Sequence, residues 1–320
     1  MPLRMDRFTS LTLGLCILLG LHPAGAQQPD SPILPPPPDV RYVPDLVYGV
    51  VADTELMLDV ALPKDVAGPL PLIVCIHGGS WRGGHRRMCS PMMFFLAREG
   101  YVTAGVSYRL APKHRFPAQL EDVRRAITWL RAHANEYHID PQRVGVFGIS
   151  SGGHLALLLA TTQNGGAPDR PPSDPAGDTG IKAAVSYAGP TDLTADRWRG
   201  LTSGTVVDLI GGPYAENAER YEAASPITFV DAGDPPVMLF HGTNDLLVPI
   251  EQSQRFVDKL QSVGVSATLW KVGSAGHLWS KGDLIETRRA AIAFFARHLH
   301  PPESRTSPVS PSAIEPQTSE

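Results

Sequence analysis

Cysteine is scarce in this 320-residue chain: three in all, Cys16, Cys75 and Cys89. The two beyond the first segment cannot build a disulfide scaffold, and Cys75, inside the apolar run PLIVCIH, reads as a small buried hydrophobe. No apolar run reaches the roughly 18 residues that a membrane-spanning helix needs. Positive charge is not in excess either. With 28 Lys and Arg against 32 Asp and Glu the net charge is −4, so no broad field attracts a phosphate backbone, and a nucleic-acid partner is not expected. The chain also lacks an Asn-X-Ser/Thr sequon, an H-E-x-x-H pair, a Cys/His ligand cluster and an EF-hand loop. Neither G-x-x-x-x-G-K-S/T nor G-x-G-x-x-G follows a strand. The expectation is no bound metal and no cofactor.

Proline, by contrast, is abundant, with 31 residues. Seven fall in 27–44, four in 163–179 and five in 301–320, stretches with too little apolar surface to offset ordering entropy. They read as a linker, a surface loop and a disordered tail. The first 26 residues form a separate unit. Arg4 and Arg7 precede the 11-residue run LTLGLCILLGL, and Ala24-Gly25-Ala26 follows. That pattern predicts a secretory signal cut after Ala26 and a periplasmic or secreted location, with no membrane span left after its removal.

Between 45 and 300 short apolar runs alternate with longer periodic ones, the pattern of a mostly parallel sheet covered by helices on both faces: an α/β fold. Strands are expected at 70–77, 101–108, 143–147, 181–189, 236–242 and 266–272. They follow an initial pair that turns near Asp53-Thr54. Helices are expected over PMMFFLAREG, 119–134, 151–161, QRFVDKLQSVG and 286–299. The stretch 193–230 breaks this rhythm between two central strands. Ligands bind beyond the carboxyl ends of strands in such sheets, so it is expected to form a small cap-like insertion.

Gly148-Ile149-Ser150-Ser151-Gly152 fits G-x-S-x-G, and it lies between the strand RVGVF and the helix SGGHLALLLA. A nucleophile elbow bends a strand sharply into a helix, and flanking glycines remove the side chains that would collide there. The frame selects Ser150, because Ser151 as nucleophile would need Gly at 149. The turn His77-Gly78-Gly79-Ser80-Trp81 after PLIVCIH can bring backbone amides close to a ligand. The amides of Gly79 and Ser80, with that of Ser151, are expected to form an oxyanion hole, Gly78 being the other candidate in the loop. Among the histidines, His77 fits a role in shaping that loop and His154 one in structural hydrogen bonding, leaving His241 and His277 as candidate bases. His277, after the last strand, gives the chain order Ser, acid, His. Asp245 is the expected acid, with Asp192 as runner-up. Trp81, Trp198 and Tyr214 are candidate substrate contacts, and His85-Arg86-Arg87 reads as solvated surface.

These segments together resemble α/β-hydrolase esterases: HGGSW, the stretch SYRLAPKHRF through GISSGGHLALL, ASPITFV, HGTNDLLVP and GSAGH. The nearest branch is the bifunctional feruloyl-esterase and acetylxylan-esterase type, neighbour to the hormone-sensitive-lipase-like carboxylesterases. The resemblance spans about 45 to 300. It implies Ser150 as nucleophile, Asp245 as acid and His277 as base, acting on short-acyl or aromatic esters such as acetyl or feruloyl groups on plant polysaccharide. Three departures stand out: Ser80 where lipase-like relatives carry a third Gly, Ser151 where Ala or Met is common, and the Pro-rich 163–179 insertion. An amide or formamide hydrolase and a non-catalytic binding protein on the same scaffold are the alternatives.

Overall fold

The computed structural model describes residues 34–51, 53–163, 179–194 and 203–300. The expected signal at 1–26, most of the Pro-rich 163–179 loop, Trp198 and the tail lie outside them. In the described residues eight strands form one sheet: β1 (Val40–Val51), β2 (Thr54–Pro63), β3 (Leu70–Ile76), β4 (Val102–Val106), β5 (Ile139–Ile149), β6 (Ile181–Tyr187), β7 (Val237–Gly242) and β8 (Ala267–Val272). Among the described residues seven helices accompany them: α1 (Ser90–Arg98), α2 (Ala118–Ala132), α3 (Ser151–Thr161), α4 (Ser203–Ile210), α5 (Tyr214–Ala223), α6 (Glu251–Ser262) and α7 (Lys281–Leu299). Among the described residues no helix is long and apolar enough to cross a membrane.

The strand order is β1-β2-β4-β3-β5-β6-β7-β8. β2 pairs antiparallel with both β1 and β4, and from β4 to β8 every pairing is parallel. The chain runs from β3 to β4 on one side and then crosses to β5 on the other, so the order reverses at β3. Such a reversal opens a crevice at the carboxyl ends of the flanking strands. The loops after β3 and β5 are the two that carry HGGSW and GISSG.

Strand side chains divide by alternate residues, as a sheet buried on both faces requires. Leu72, Val74, Ile76, Val144, Val146, Val237 and Leu239 pack with α2, α3 and α6. Ile73, Cys75, Phe147, Val185, Met238 and Phe240 pack with α1 and α7. Cys75 and Cys89 are buried free thiols, and burial holds both well above the usual thiol pKa.

Three boundaries differ from the sequence reading by about four residues or more. β1 begins at Val40, inside the stretch expected to be linker, because Val40 to Val43 pair with Pro63 to Val60. β5 starts at Ile139, since Ile139 and Asp140 already pair with Leu70 and Pro71 ahead of a register shift. Helix α7 starts at Lys281, five residues early, because Ser280 and Asp283 close a reciprocal capping box that satisfies its first free amides.

A larger correction concerns His85-Arg86-Arg87, which is buried. Asp59 on β2 is fully buried, and a desolvated carboxylate needs charged or donating partners. Arg86 Nε reaches Asp59 Oδ1 at 2.6 Å, and Tyr42 donates to Asp59 Oδ2 at 2.6 Å. Asp45 pairs with Arg86 and, at 2.7 Å, with Arg87. Such a cluster contributes little net stability against an apolar equivalent but is costly to break singly. Its position fixes the segment that follows the HGGSW loop.

Candidate active site

At Ser150 the backbone takes φ 54° and ψ −122°, a conformation that costs a non-glycine residue about 1–3 kcal/mol. Its surroundings hold it there. The Ser150 amide donates to the Tyr187 carbonyl on β6 at 2.7 Å, and the Ser150 carbonyl accepts from the His154 amide at 3.0 Å. A methyl group at Gly148 would land on the Gly152 carbonyl, and one at Gly152 on the carbonyls of Ile76 and His77. The two glycines therefore let β5, α3 and the end of β3 close on one another. They also bring Gly78 against Ser150, where a Cβ on Gly78 would lie 3.3 Å from the Ser150 Cβ.

His277, in the loop between β8 and α7, accepts a hydrogen bond at Nε2 from Ser150 Oγ at 3.0 Å. Its Nδ1–H donates to Asp245 Oδ2 at 2.7 Å. The carboxylate can only accept, which places the ring proton on Nδ1 and leaves Nε2 free to take one from the serine. Asp245 is buried, and its Oδ1 accepts from the amides of Leu247 and Val248, both at 2.9 Å. Burial alone would raise its pKa, but hydrogen bonds from His241 and His277, the His277 charge and the Val248 amide outweigh it. The carboxyl is held well below its usual range.

The HGGSW loop is shaped by His77. Its Nδ1–H donates to the Gly78 carbonyl at 2.8 Å, while its ring stacks on Tyr108 with centroids 4.3 Å apart and its own carbonyl accepts from the Tyr108 hydroxyl at 3.0 Å. Burial lowers the His77 pKa to about 4, so it stays a neutral donor at physiological pH. Because a trans peptide opposes its C=O and N–H, fixing the Gly78 carbonyl aims the Gly79 N–H the other way. The Gly79 carbonyl accepts from Arg82 and Gly83, both at 3.0 Å. Gly79, at φ 122°, and Ser80 and Trp81, at φ 54° and 59°, turn the loop tightly. Among the described residues, the amides of Gly79, Ser80 and Ser151 donate to no protein acceptor. Ser151 is the first residue of α3, where an amide has no intrahelical partner and the helix dipole favours negative charge.

The other expected contacts fare differently. Trp81 is a core residue, 3% exposed, and its indole N–H donates to His154 Nδ1 at 3.2 Å. His154 Nε2 in turn donates to the Ala224 carbonyl at 2.6 Å, and burial lowers the His154 pKa to about 4. Trp81 thus ties the HGGSW loop to α3 and to the residue after α5. Tyr214 is exposed at the start of α5, edge-on to Tyr221 at 5.3 Å. Asp192, the runner-up acid, accepts from the amide and hydroxyl of Thr194 and pairs with Arg255 at 3.1 Å, a turn-fixing role. Within 193–230 the described part contains α4, α5 and a short 3-10 turn. α4 meets the residue just after the HGGSW loop through an Asp208–Arg82 ion pair at 3.3 Å.

Gln252 and His241 also hold the site; the first was not singled out in the sequence, and the second was weighed only as a candidate base. Gln252 on α6, buried, accepts at Oε1 from the amides of Thr191 and Asp192 and donates to the Asp192 carbonyl. His241 lies 3.3 Å from Asp245 Oδ2 through Nε2. Only the four-residue spacing to Asp245 hinted at this place for His241, and nothing local hinted at Gln252.

An eight-stranded, mostly parallel sheet with a serine elbow after β5 and a histidine after β8 defines the α/β-hydrolase fold. The chain belongs to the BD-FAE family, whose sequence profile matches residues 58–260. It is 33% identical over 268 residues to Esterase LipC of Mycobacterium tuberculosis, covering 80% of this chain and 64% of that protein. Among solved structures, Est2, a thermophilic esterase of Thermogutta terrifontis, is 26% identical with a TM-score of 0.67, over 82% of this chain and 94% of that one. A bifunctional GH43-CE protein of Bacteroides eggerthii is 27% identical with a TM-score of 0.71, over 80% and 38%. The chain spans between half and two thirds of the length of the mycobacterial relatives it matches.

Proposed function

We propose that this protein is a serine carboxylic ester hydrolase that works through an acyl-enzyme. The reading rests above all on the Ser150–His277–Asp245 hydrogen-bond series, at 3.0 and 2.7 Å, with unengaged amides beside it. Ser150 Oγ attacks the ester carbonyl carbon as its proton passes to His277 Nε2. The carbonyl oxygen takes the electron pair and is held by the amides of Gly79 or Ser80 and of Ser151. Collapse re-forms the carbonyl and breaks the bond to the alcohol, which leaves with the His277 proton. Water, deprotonated by the same Nε2, then attacks the acyl-serine, and the second collapse releases the acid and returns the proton to Ser150.

The substrate is a short-acyl or aromatic ester, such as an acetyl or feruloyl group on plant polysaccharide. Support comes from family membership and from exposed Leu246 and Leu278, apolar residues that directly follow Asp245 and His277 in the chain. Residues 1–26 act as an export signal, so the enzyme works in the periplasm or outside the cell.

Est2 has been solved phosphorylated by paraoxon, and the same reagent tests the nucleophile here. Treatment is expected to add one diethylphosphoryl group per chain, on the peptide carrying Ser150, and none to Ser150→Ala, as read by mass spectrometry. An adduct on another residue would remove the assignment. The acid is tested separately: Asp245→Asn should lower kcat about 10⁴-fold by imposing the wrong histidine tautomer, whereas Asp192→Asn should leave kcat within a few-fold and lower only the melting temperature. Methyl ferulate and acetylated xylan, assayed by product analysis, decide the substrate class; failure on both removes the polysaccharide reading.

A further inference from the structure

Asp245 Oδ2 is approached from two sides, and only one belongs to the series just described. From the solvent side His277 donates through Nδ1 at 2.7 Å. From the core side His241, on β7 and fully buried, places Nε2 at 3.3 Å. The same Nε2 lies 2.8 Å from the Val248 carbonyl. A carbonyl only accepts, so Nε2 carries a proton, while Nδ1, 2.7 Å from Ser253 Oγ on α6, can accept the hydroxyl. That N–H bonds to the Val248 carbonyl and also lies beside the carboxylate, with Nε2 3.3 Å from Oδ2. Among the described residues, the titratable groups facing Asp245 are His241 from β7 and His277 from the β8–α7 loop; the β7–α6 loop adds the Leu247 and Val248 amides. His277 itself faces Asp245 and Ser150.

We propose that His241 is a positioning residue for ester hydrolysis: its Nε2–H holds Asp245 Oδ2 in line with His277 and limits the negative charge that this oxygen presents to the histidine. It thereby sets the pH at which His277 becomes a base. The inference rests on the reading of Ser150, His277 and Asp245 given above. The physical reason is competition for one oxygen. A carboxylate oxygen that gives part of its electron density to a second donor stabilises an adjacent imidazolium less. Withdrawing the His241 proton leaves Oδ2 with one donor, strengthens its pull on His277, and favours the protonated, inactive form of that base in the resting enzyme. It also frees the carboxylate to rotate, which loosens the alignment.

Three substitutions separate these effects. His241→Leu removes both nitrogens. His241→Asn keeps a group near the Nδ1 position, where Ser253 can bind it, but does not reach Asp245. His241→Gln reaches the Nε2 position and keeps a donor there. The titration of His277 is read directly by NMR of histidine-labelled resting enzyme, assigned with His277→Ala, alongside the pH profile of kcat/KM on p-nitrophenyl acetate. In Leu and Asn the His277 titration and the acidic limb should both move up by about half to one pH unit, and the plateau kcat should fall about tenfold with KM unchanged. Gln should stay within a few tenths of a unit of the parent. An unmoved His277 titration in Leu and Asn, or a Gln variant shifted as far as Asn, would overturn the proposal, even where activity falls. Should Leu not fold, Asn carries the same test. Because the NMR readout needs no turnover, a shift in a protein that hydrolyses no ester would sink the esterase reading alone, and turnover without a shift would sink the His241 coupling alone.

Discussion

Ser150→Ala is expected to lower kcat on p-nitrophenyl acetate by about 10⁵- to 10⁶-fold while leaving the melting temperature unchanged or higher. The chemical loss is total for the covalent route, because no other hydroxyl stands 3.0 Å from His277 Nε2 among the described residues. What survives is the background that the amides and His277 support with water alone. Ser151→Ala is the matched control. Ser151 is buried, and any contribution to the oxyanion comes through its backbone amide, which alanine keeps. Its kcat should stay within a few-fold of the parent. Equal loss in the two variants would mean that the serines had been assigned the wrong way round.

Gly79→Ala should lower kcat about 100- to 1,000-fold with KM changed only a few-fold. Gly79 sits at φ 122°, and an added Cβ would fall on the Gly83 carbonyl carbon and oxygen. Neither atom belongs to a flexible side chain, so the loop must shift. The Gly78–Gly79 peptide, held on one side by His77, then rotates and carries the Gly79 N–H off its line. An oxyanion donor acts mainly when charge develops, which is why the loss belongs in kcat and not in KM. Gly79 itself belongs to neither core cluster, so circular dichroism should stay that of the parent. Gly68→Ala, where a Cβ meets nothing within 4 Å, should leave kcat as it was. A full-activity Gly79→Ala enzyme would take the hole away from this loop.

Much of this was legible in the chain because the signals are local. Continuous apolar runs in PLIVCIH and PVMLFHG mark strands buried on both faces, and glycines flanking Ser150 mark a turn that no other residue tolerates. Ser150, Asp245 and His277 each follow a strand end, so a parallel sheet collects them without further information. The remainder depends on partners far away in sequence. Arg86 and Arg87 look like surface until Asp45 and Asp59 arrive from another hairpin. Trp81 looks like a ligand contact until His154 takes its N–H. The placement of β4 between β2 and β3 leaves no trace in the periodicity of any of the three. His241 carried the least signal, since an apolar strand end shows neither what its imidazole touches nor which nitrogen holds the proton.

The backbone at Ser150 also bears on how this sequence would respond to selection. At φ 54° and ψ −122° glycine is relaxed and serine is not, so selection for folding alone would replace the one residue that forms the covalent bond. Stability and activity pull in opposite directions at this position. A consensus or design procedure blind to catalysis would therefore improve the protein's melting temperature by disabling it.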